Sequence, residues 1–184
     1  MKNRAFIAIN LPLEIKAKFE ELISQLKARN SSPFLSFVRP EGVHLTLHFL
    51  GEIGPETTKA IKISLAEMVK NFSGFTFTPV TISAFPDLRR PRVIFLSLKT
   101  DQLTELMTLQ KRLGQKLKAI GIVTDERPWQ PHLTLARVKG PVNLNAEGIE
   151  IPSETFITKS VELMSSELKP TSVKYSVLAS YHLK

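Results

Sequence analysis

The 184 residues include no cysteine, which removes disulfide frameworks, zinc–thiolate sites, iron–sulfur clusters and thiol nucleophiles together. A reducing compartment is the natural reading, and a cytoplasmic location is expected. Long apolar runs are missing as well. The opening stretch MKNRAFIAINLP has a basic start, an apolar part far too short to span a bilayer, and no small-residue cleavage site after it, so neither export nor membrane insertion is expected. Low-complexity segments and flexible linkers are also absent. Histidine is scarce, with four in the chain, so any pattern among them is informative.

What is present is enough for a real core. Hydrophobic residues make up 42% of the chain, and the length fits a single domain over residues 1–184 built from two closely packed lobes. A net charge of +8 and a pI near 9.8 favour an anionic partner, for which nucleic acid is the commonest choice.

Periodicity lays out the elements. Arg4 to Asn10 reads as a strand, and Leu11-Pro12 opens a helix with Ile15, Phe19, Leu22 and Leu26 on one face, ending near Arg29-Asn30. Phe34 to Val38 and Val43 to Leu50 read as strands around the turn Pro40-Glu41-Gly42. Gly54-Pro55 opens a second helix with the apolar face Ile61, Leu65, Met68 and Phe72. Phe75 to Phe85 and Arg92 to Leu98 are the next strands, joined by a polar loop that carries Arg89 and Arg90. A third helix from about Asp101 buries Leu106, Leu113, Leu117 and Ile120, and Gly121 closes it. His132 to Val138, Thr155 to Met164 and Val173 to Leu183 complete the strands. Strands and helices come mixed, with short turns, which predicts an α+β protein with largely antiparallel sheets.

One tetrapeptide is repeated. His-Leu-Thr-Leu occupies 44–47 and again 132–135, each time after an amphipathic helix and a short connection containing proline. The placement suggests two related half-units that each give one strand to a shared centre. In a strand, alternation sets His44 and Thr46 on one face with Leu45 and Leu47 on the other, and likewise His132 and Thr134 against Leu133 and Leu135. A single strand histidine is most often a packing residue, but two in matched places on a basic chain point to one cleft holding two imidazoles and two hydroxyls. Those groups suit displacement at phosphorus: one imidazole deprotonates water, the other protonates the departing oxygen, and the threonines donate to non-bridging oxygens. Neither a metal nor a cofactor is expected. Zinc would want three or four ligands, and neither motif has a neighbouring cysteine, a carboxylate at close spacing or a helical H-x-x-x-H. His44 and His48 are four apart, but on a strand that is about 13 Å.

These motifs resemble those of the two-histidine phosphoesterase superfamily, and within it the RNA 2',3'-cyclic phosphodiesterases once named 2'-5' RNA ligases. Arg4-Ala5-Phe6-Ile7-Ala8 is similar to the family's opening strand, His44 to Gly51 to its first motif, and Pro131 to Arg137 to its second. Phe85-Pro86 before Pro91 to Ile94 resembles its middle hairpin, and Ser166 to Leu168 with Tyr175 to Leu178 its final strands. The resemblance implies a bilobal fold with two pseudo-symmetric halves, antiparallel sheets flanking a central cleft and helices outside. It implies hydrolysis of RNA 2',3'-cyclic phosphate ends to 2'-phosphomonoesters without a cofactor, and a weak, reversible 2'-5' joining of RNA ends. His44 is assigned as proton donor and His132 as proton acceptor, with RNA ends or nucleotides bearing a 2',3'-cyclic phosphate as partners and the monomer as the acting unit.

By position the resemblance makes Arg137 the phosphate-contacting arginine and Phe49 a cleft-lining aromatic. Alternation objects to both, since each lies five residues after its histidine. Either a bulge re-aims them or they serve the core or the surface. Phe37 stands where the family often has tryptophan. His48, on the parity of His44, is expected at the rim of the cleft on a half-exposed strand, and His182 at the surface. Trp129 is open between stacking on a base and hinge packing. Arg89, Arg90 and Arg92 are expected to steer phosphate.

Overall fold

A computed structural model describes residues 3–169 and 172–184. Strands β1 (Asn3–Asn10), β2 (Leu35–Phe37), β3 (His44–Ile53), β4 (Phe75–Phe85), β5 (Val93–Lys99), β6 (His132–Val138), β7 (Phe156–Thr158), β8 (Ser160–Lys169) and β9 (Ser172–His182) alternate with helices α1 (Leu13–Arg29), α2 (Pro55–Val69) and α3 (Leu103–Ala119). Proline opens α2 and directly precedes α1, positions where its missing N–H leaves no helical bond unmade. Gly121, with φ +81°, turns the chain out of α3 in a conformation that a Cβ would strain.

All described pairings are antiparallel, and they form one nine-stranded sheet in the order β7-β4-β5-β6-β3-β1-β8-β9, with β2 also pairing β6. The sheet is curled, because the chain passes from β7 at one edge to β8 near the other across Lys159 alone. The carboxyl end closes the curl, with Lys184 N–H donating to the Phe72 carbonyl and Gly74 N–H to that of Lys184. Two units, β1-α1-β3 and β5-α3-β6, are related by a pseudo-twofold between Leu45 and Leu133, which pair at the centre. This is the α+β, two-halved architecture that the resemblance implies.

The helices cover one face of the sheet. Phe19, Leu22 and Leu26 of α1, Ile61 and Leu65 of α2, and Leu106, Leu109 and Leu113 of α3 are buried against Leu45, Leu47, Leu133 and Leu135. The leucines of both motifs thus lie in one continuous core, which at ~25 cal/mol per Å² of buried apolar surface is the main source of stability. The far face carries a second, small cluster of Phe6, Ala8 and Met164 with Tyr175 beside it.

Two sequence expectations need correction. The stretch Thr155 to Met164 is not one strand: its first part pairs with β4 and the rest with β1 and β9, so it must break between the two edges. Ile120 is exposed, because the chain leaves the helical path just after Ala119 and the apolar face ends with it.

Candidate active site

Bulges in both central ladders set the site. Along β1 and β3, Ala8 lies opposite Thr46 but Ile7 lies opposite His48, so Leu47 is an extra residue. Along β5 and β6, Phe95 lies opposite Thr134 and Ile94 opposite Ala136, so Leu135 is extra. Each bulge puts two successive side chains into the core, Leu47 with His48 and Leu135 with Ala136, and reverses the alternation beyond it. Phe49 and Arg137 are thereby turned outward, onto the face of the histidines. Phe49 is 56% exposed, with its ring 6.3 Å from that of Phe6. Simple alternation fails here for that reason. It also fails for His48, which is not a rim residue: it is 6% exposed, and its Nε2–H donates to the Gln110 carbonyl of α3 at 2.7 Å. Gly114 makes room for it, since a Cβ there would stand 3.0 Å from the His48 ring.

With Leu45 opposite Leu133, antiparallel counting sets His44 across from Thr134 and His132 across from Thr46. Each histidine thus faces the other half's threonine. The rings are held alike: His44 Nδ1 lies 2.7 Å from the Gly42 carbonyl oxygen and His132 Nδ1 lies 2.8 Å from that of Gln130. A carbonyl only accepts, so Nδ1 carries the hydrogen in both, and Nε2 holds the lone pair of the neutral ring. Aromatic walls differ between the halves. His44 is stacked on Phe6 (4.7 Å) and meets the edge of Tyr175 (5.2 Å), whereas His132 meets Phe85 (5.1 Å) and Phe95 (5.3 Å) edge to face.

Burial is the first cause that pushes His44 from 6.5 down to about 4; the Gly42 carbonyl opposes it, and the charges of Lys16, Arg137 and His132 add to it. His132 is lowered too, by burial and the Arg137 charge against the pull of the Gln130 carbonyl. Burial raises the Tyr175 phenol, with Arg137 and Arg4 opposing. One guanidinium, Arg137, therefore acts on His44, His132 and Tyr175 together, so the cleft is cationic with its imidazoles neutral, a setting for an anion.

That electrostatic state has a cost in acid. Burial also lowers His48, so three histidines bind protons less readily folded than unfolded, and stability must rise with pH across the window. The contribution is complete above the ordinary value of 6.5 and is lost as pH falls from there toward about 4. The melting temperature should drop between pH 7.5 and pH 5, and replacing His44 with glutamine should flatten the drop. A melting temperature constant over that range would mean the rings are not held neutral.

Other expectations sort as follows. His182 is exposed. Trp129 is half-buried against the core, and its Nε1–H donates to the Thr46 carbonyl at 3.0 Å, so it packs at the junction of the two motifs. Phe37 also packs on the core. Arg89, Arg90 and Arg92 are exposed in or just after the β4–β5 loop, where Asp87 Oδ1 caps the N–H groups of the first two. Among the described residues no group of three or more His, Cys, Asp and Glu side chains is placed to hold a metal ion. Sequence reasoning missed Phe6, Tyr175, Phe85 and Phe95 as walls of the site, because their approach to the histidines is set by cross-strand register and not by local pattern, and it missed the charge of Lys16 on α1 behind His44.

Residues 9–95 and 96–175 each match the family model of the LigT-like phosphoesterases. The chain belongs to this family. Each LigT-like match contains one His-Leu-Thr-Leu motif, in keeping with the two structural halves. The chain is 33% identical over 179 residues to an RNA 2',3'-cyclic phosphodiesterase of Thermotoga maritima, covering 95% of this chain and 92% of the relative. A Thermus thermophilus RNA 2',3'-cyclic phosphodiesterase is 33% identical over 192 residues, covering 98% and 90%. Among solved structures, E. coli LigT complexed with 3'-AMP superposes with a TM-score of 0.76 at 28% identity, covering 100% of this chain and 99% of that one.

Proposed function

We propose that this LigT-like phosphoesterase opens the 2',3'-cyclic phosphate at RNA ends to a 2'-phosphomonoester, with His44 as proton donor, His132 as proton acceptor and no cofactor. The observation that carries the reading is the matched pair of rings, each with Nδ1 tied to a carbonyl two residues upstream and each beside the charge of Arg137. Water attacks phosphorus as His132 Nε2 takes its proton. The bond from phosphorus to the 3' oxygen breaks, and that oxygen takes a proton from the His44 imidazolium. Thr46 and Thr134 donate to the non-bridging oxygens, Arg137 offsets their charge, and the exposed face of Phe49 receives a base. With a 5'-hydroxyl in place of water, the same displacement joins two RNA ends through a 2'-5' linkage.

The direction of proton flow fits the unequal burial of the rings. An imidazolium with a low pKa is the stronger donor, and His44 is pushed to about 4; His132, with fewer cations acting on it, is the better acceptor. A bound phosphate anion raises both and loads the proton that the donor needs.

Both histidines come from one chain, so the monomer is assigned as the acting unit, with all of residues 1–184 as one working domain. No helix among the described residues is long and apolar enough to cross a membrane, and the cysteine-free chain suits the reducing cytoplasm. Incubation with a nucleoside 2',3'-cyclic phosphate, followed by phosphorus NMR, tests the reading. A 2'-monophosphate is expected, at the same rate with EDTA present. No turnover, a 3'-monophosphate, or a loss to EDTA that added metal restores would each overturn it.

A further inference from the structure

Behind His44 lies a cation that the mechanism above does not use. Lys16, half-buried in the first turn of α1, donates from Nζ to the Glu41 carbonyl at 2.8 Å and to Asn10 Oδ1 at 3.4 Å. Glu41 sits in the short 3-10 turn Pro40–Gly42, whose last residue supplies the carbonyl that holds His44 Nδ1. Asn10 is the register partner of His44 on β1. Its own N–H donates to Glu162 Oε2 at 3.1 Å, and the buried Glu162 takes the hydroxyls of Ser160 and Ser180 on its other oxygen. The ammonium thus joins α1, the end of β1 and the turn in one place.

His132 has no such support. With the buried faces Ile15, Leu22 and Leu26 of α1 and Leu106, Leu113 and Leu117 of α3 aligned, the residue that matches Lys16 is Met107, which is exposed and carries no charge. Among the described residues, no lysine or arginine hydrogen-bonds to Pro128, Trp129, Gln130 or Pro131, the segment that carries the carbonyl of the second histidine. The pseudo-twofold is kept in the carbonyl that meets each Nδ1 and broken in what supports that carbonyl from behind.

We infer that Lys16 is a positioning residue for the cyclic-phosphate reaction: by tying α1 and β1 to the Pro40–Gly42 turn it holds the Gly42 carbonyl, and through it the His44 ring, on line with phosphorus. The inference rests on the proposed function for its kinetic consequence and on geometry for the rest. A shift of the ring by about 1 Å is enough to cost up to roughly a hundredfold in rate. The same ammonium is one of the charges that face His44, with Arg137 and His132 from β6, while Tyr175 from β9 meets its edge; Lys16 is itself faced by Glu162 of β8 and Glu41 of the turn. A cation disfavours a nearby imidazolium, so removing Lys16 raises the pKa of His44 and leaves that of His132 in place.

Three variants separate hydrogen bonding from charge. Lys16→Met keeps the apolar stem and loses both, Lys16→Gln keeps a donor without charge, and Lys16→Arg keeps both. Proton NMR of the imidazole Cε1–H signals against pH should show the His44 midpoint raised in the Met and Gln variants, unchanged in Arg, with His132 unmoved in all three. On a nucleoside 2',3'-cyclic phosphate, kcat should fall about tenfold or more in Lys16→Met with a smaller change in KM, and recover in Lys16→Arg. The titration needs no turnover, so a wild-type protein inert toward cyclic phosphate would remove the proposed function while the NMR still judged Lys16. Should Lys16→Met fail to fold, as read by circular dichroism, the Gln variant carries the titration. A His44 midpoint unmoved in the uncharged variants, a folded Lys16→Met with kcat within about twofold of wild type, or a loss that arginine does not recover would overturn the inference.

Discussion

His44→Ala and His132→Ala should each lower kcat/KM toward a nucleoside 2',3'-cyclic phosphate by about a thousandfold, within the 10²–10⁴ that one positioned acid or base supplies. In-line displacement sets the attacking water and the leaving oxygen on opposite sides of phosphorus, so neither ring can serve for the other. Removing both should therefore cost little more than removing one. The variants should differ in one respect. With sulfur in place of the 3' oxygen the leaving group departs without a proton, so His44→Ala should recover most of its loss and His132→Ala should not. Recovery in the His132 variant instead would exchange their roles. His182→Ala, at an exposed position, should behave as wild type. His48→Ala should lower the melting temperature through its lost bond to Gln110 while a folded sample keeps its rate. Full activity in either catalytic variant would end the two-histidine mechanism.

Arg137→Ala should cost about a hundredfold in kcat/KM, the scale of losing one donor aimed at developing charge. Its effect on pH dependence distinguishes it from a general loss of binding. The guanidinium depresses both His44 and His132, so removing it should move both limbs of the kcat/KM profile to higher pH; the two limbs belong to the coupled pair, not to either ring alone. Arg137→Lys should keep the position of the profile and lose part of the rate, since lysine supplies charge without the planar fork. A profile that stays fixed in Arg137→Ala would place the guanidinium outside the cleft.

The elements most legible in the sequence were strands bounded by clear turns and helices with one apolar face. His132–Val138 and Phe75–Phe85 begin and end as strands where the flanking turns put them, and the apolar faces of α1 and α2 are buried, although Phe72, read as the last residue of the second face, lies beyond the end of α2 at Val69. The two histidines proposed as the acid–base pair could be singled out because a repeated motif needs no tertiary information. What alternation could not supply was the parity beyond Thr46 and Thr134, since a bulge adds a residue without changing the residue types around it; the outward turn of Phe49 and Arg137 and the inward turn of His48 follow from that alone. The break at Lys159 was invisible for a related reason. Both sides are β-prone, and only the curl of the sheet assigns them to opposite edges.

The middle of the sheet is stitched lightly. β3 and β6 share the register pair Leu45↔Leu133, whereas β1–β3 and β5–β6 pair along most of their lengths. The two rings are therefore held across this crossing by the shared leucine core and the Trp129 bond to Thr46 more than by strand pairing, while each ring keeps its own carbonyl and its own aromatic wall. In the proposed reaction, the gap between the two Nε2 atoms is therefore the dimension of the site that the strand ladders constrain least.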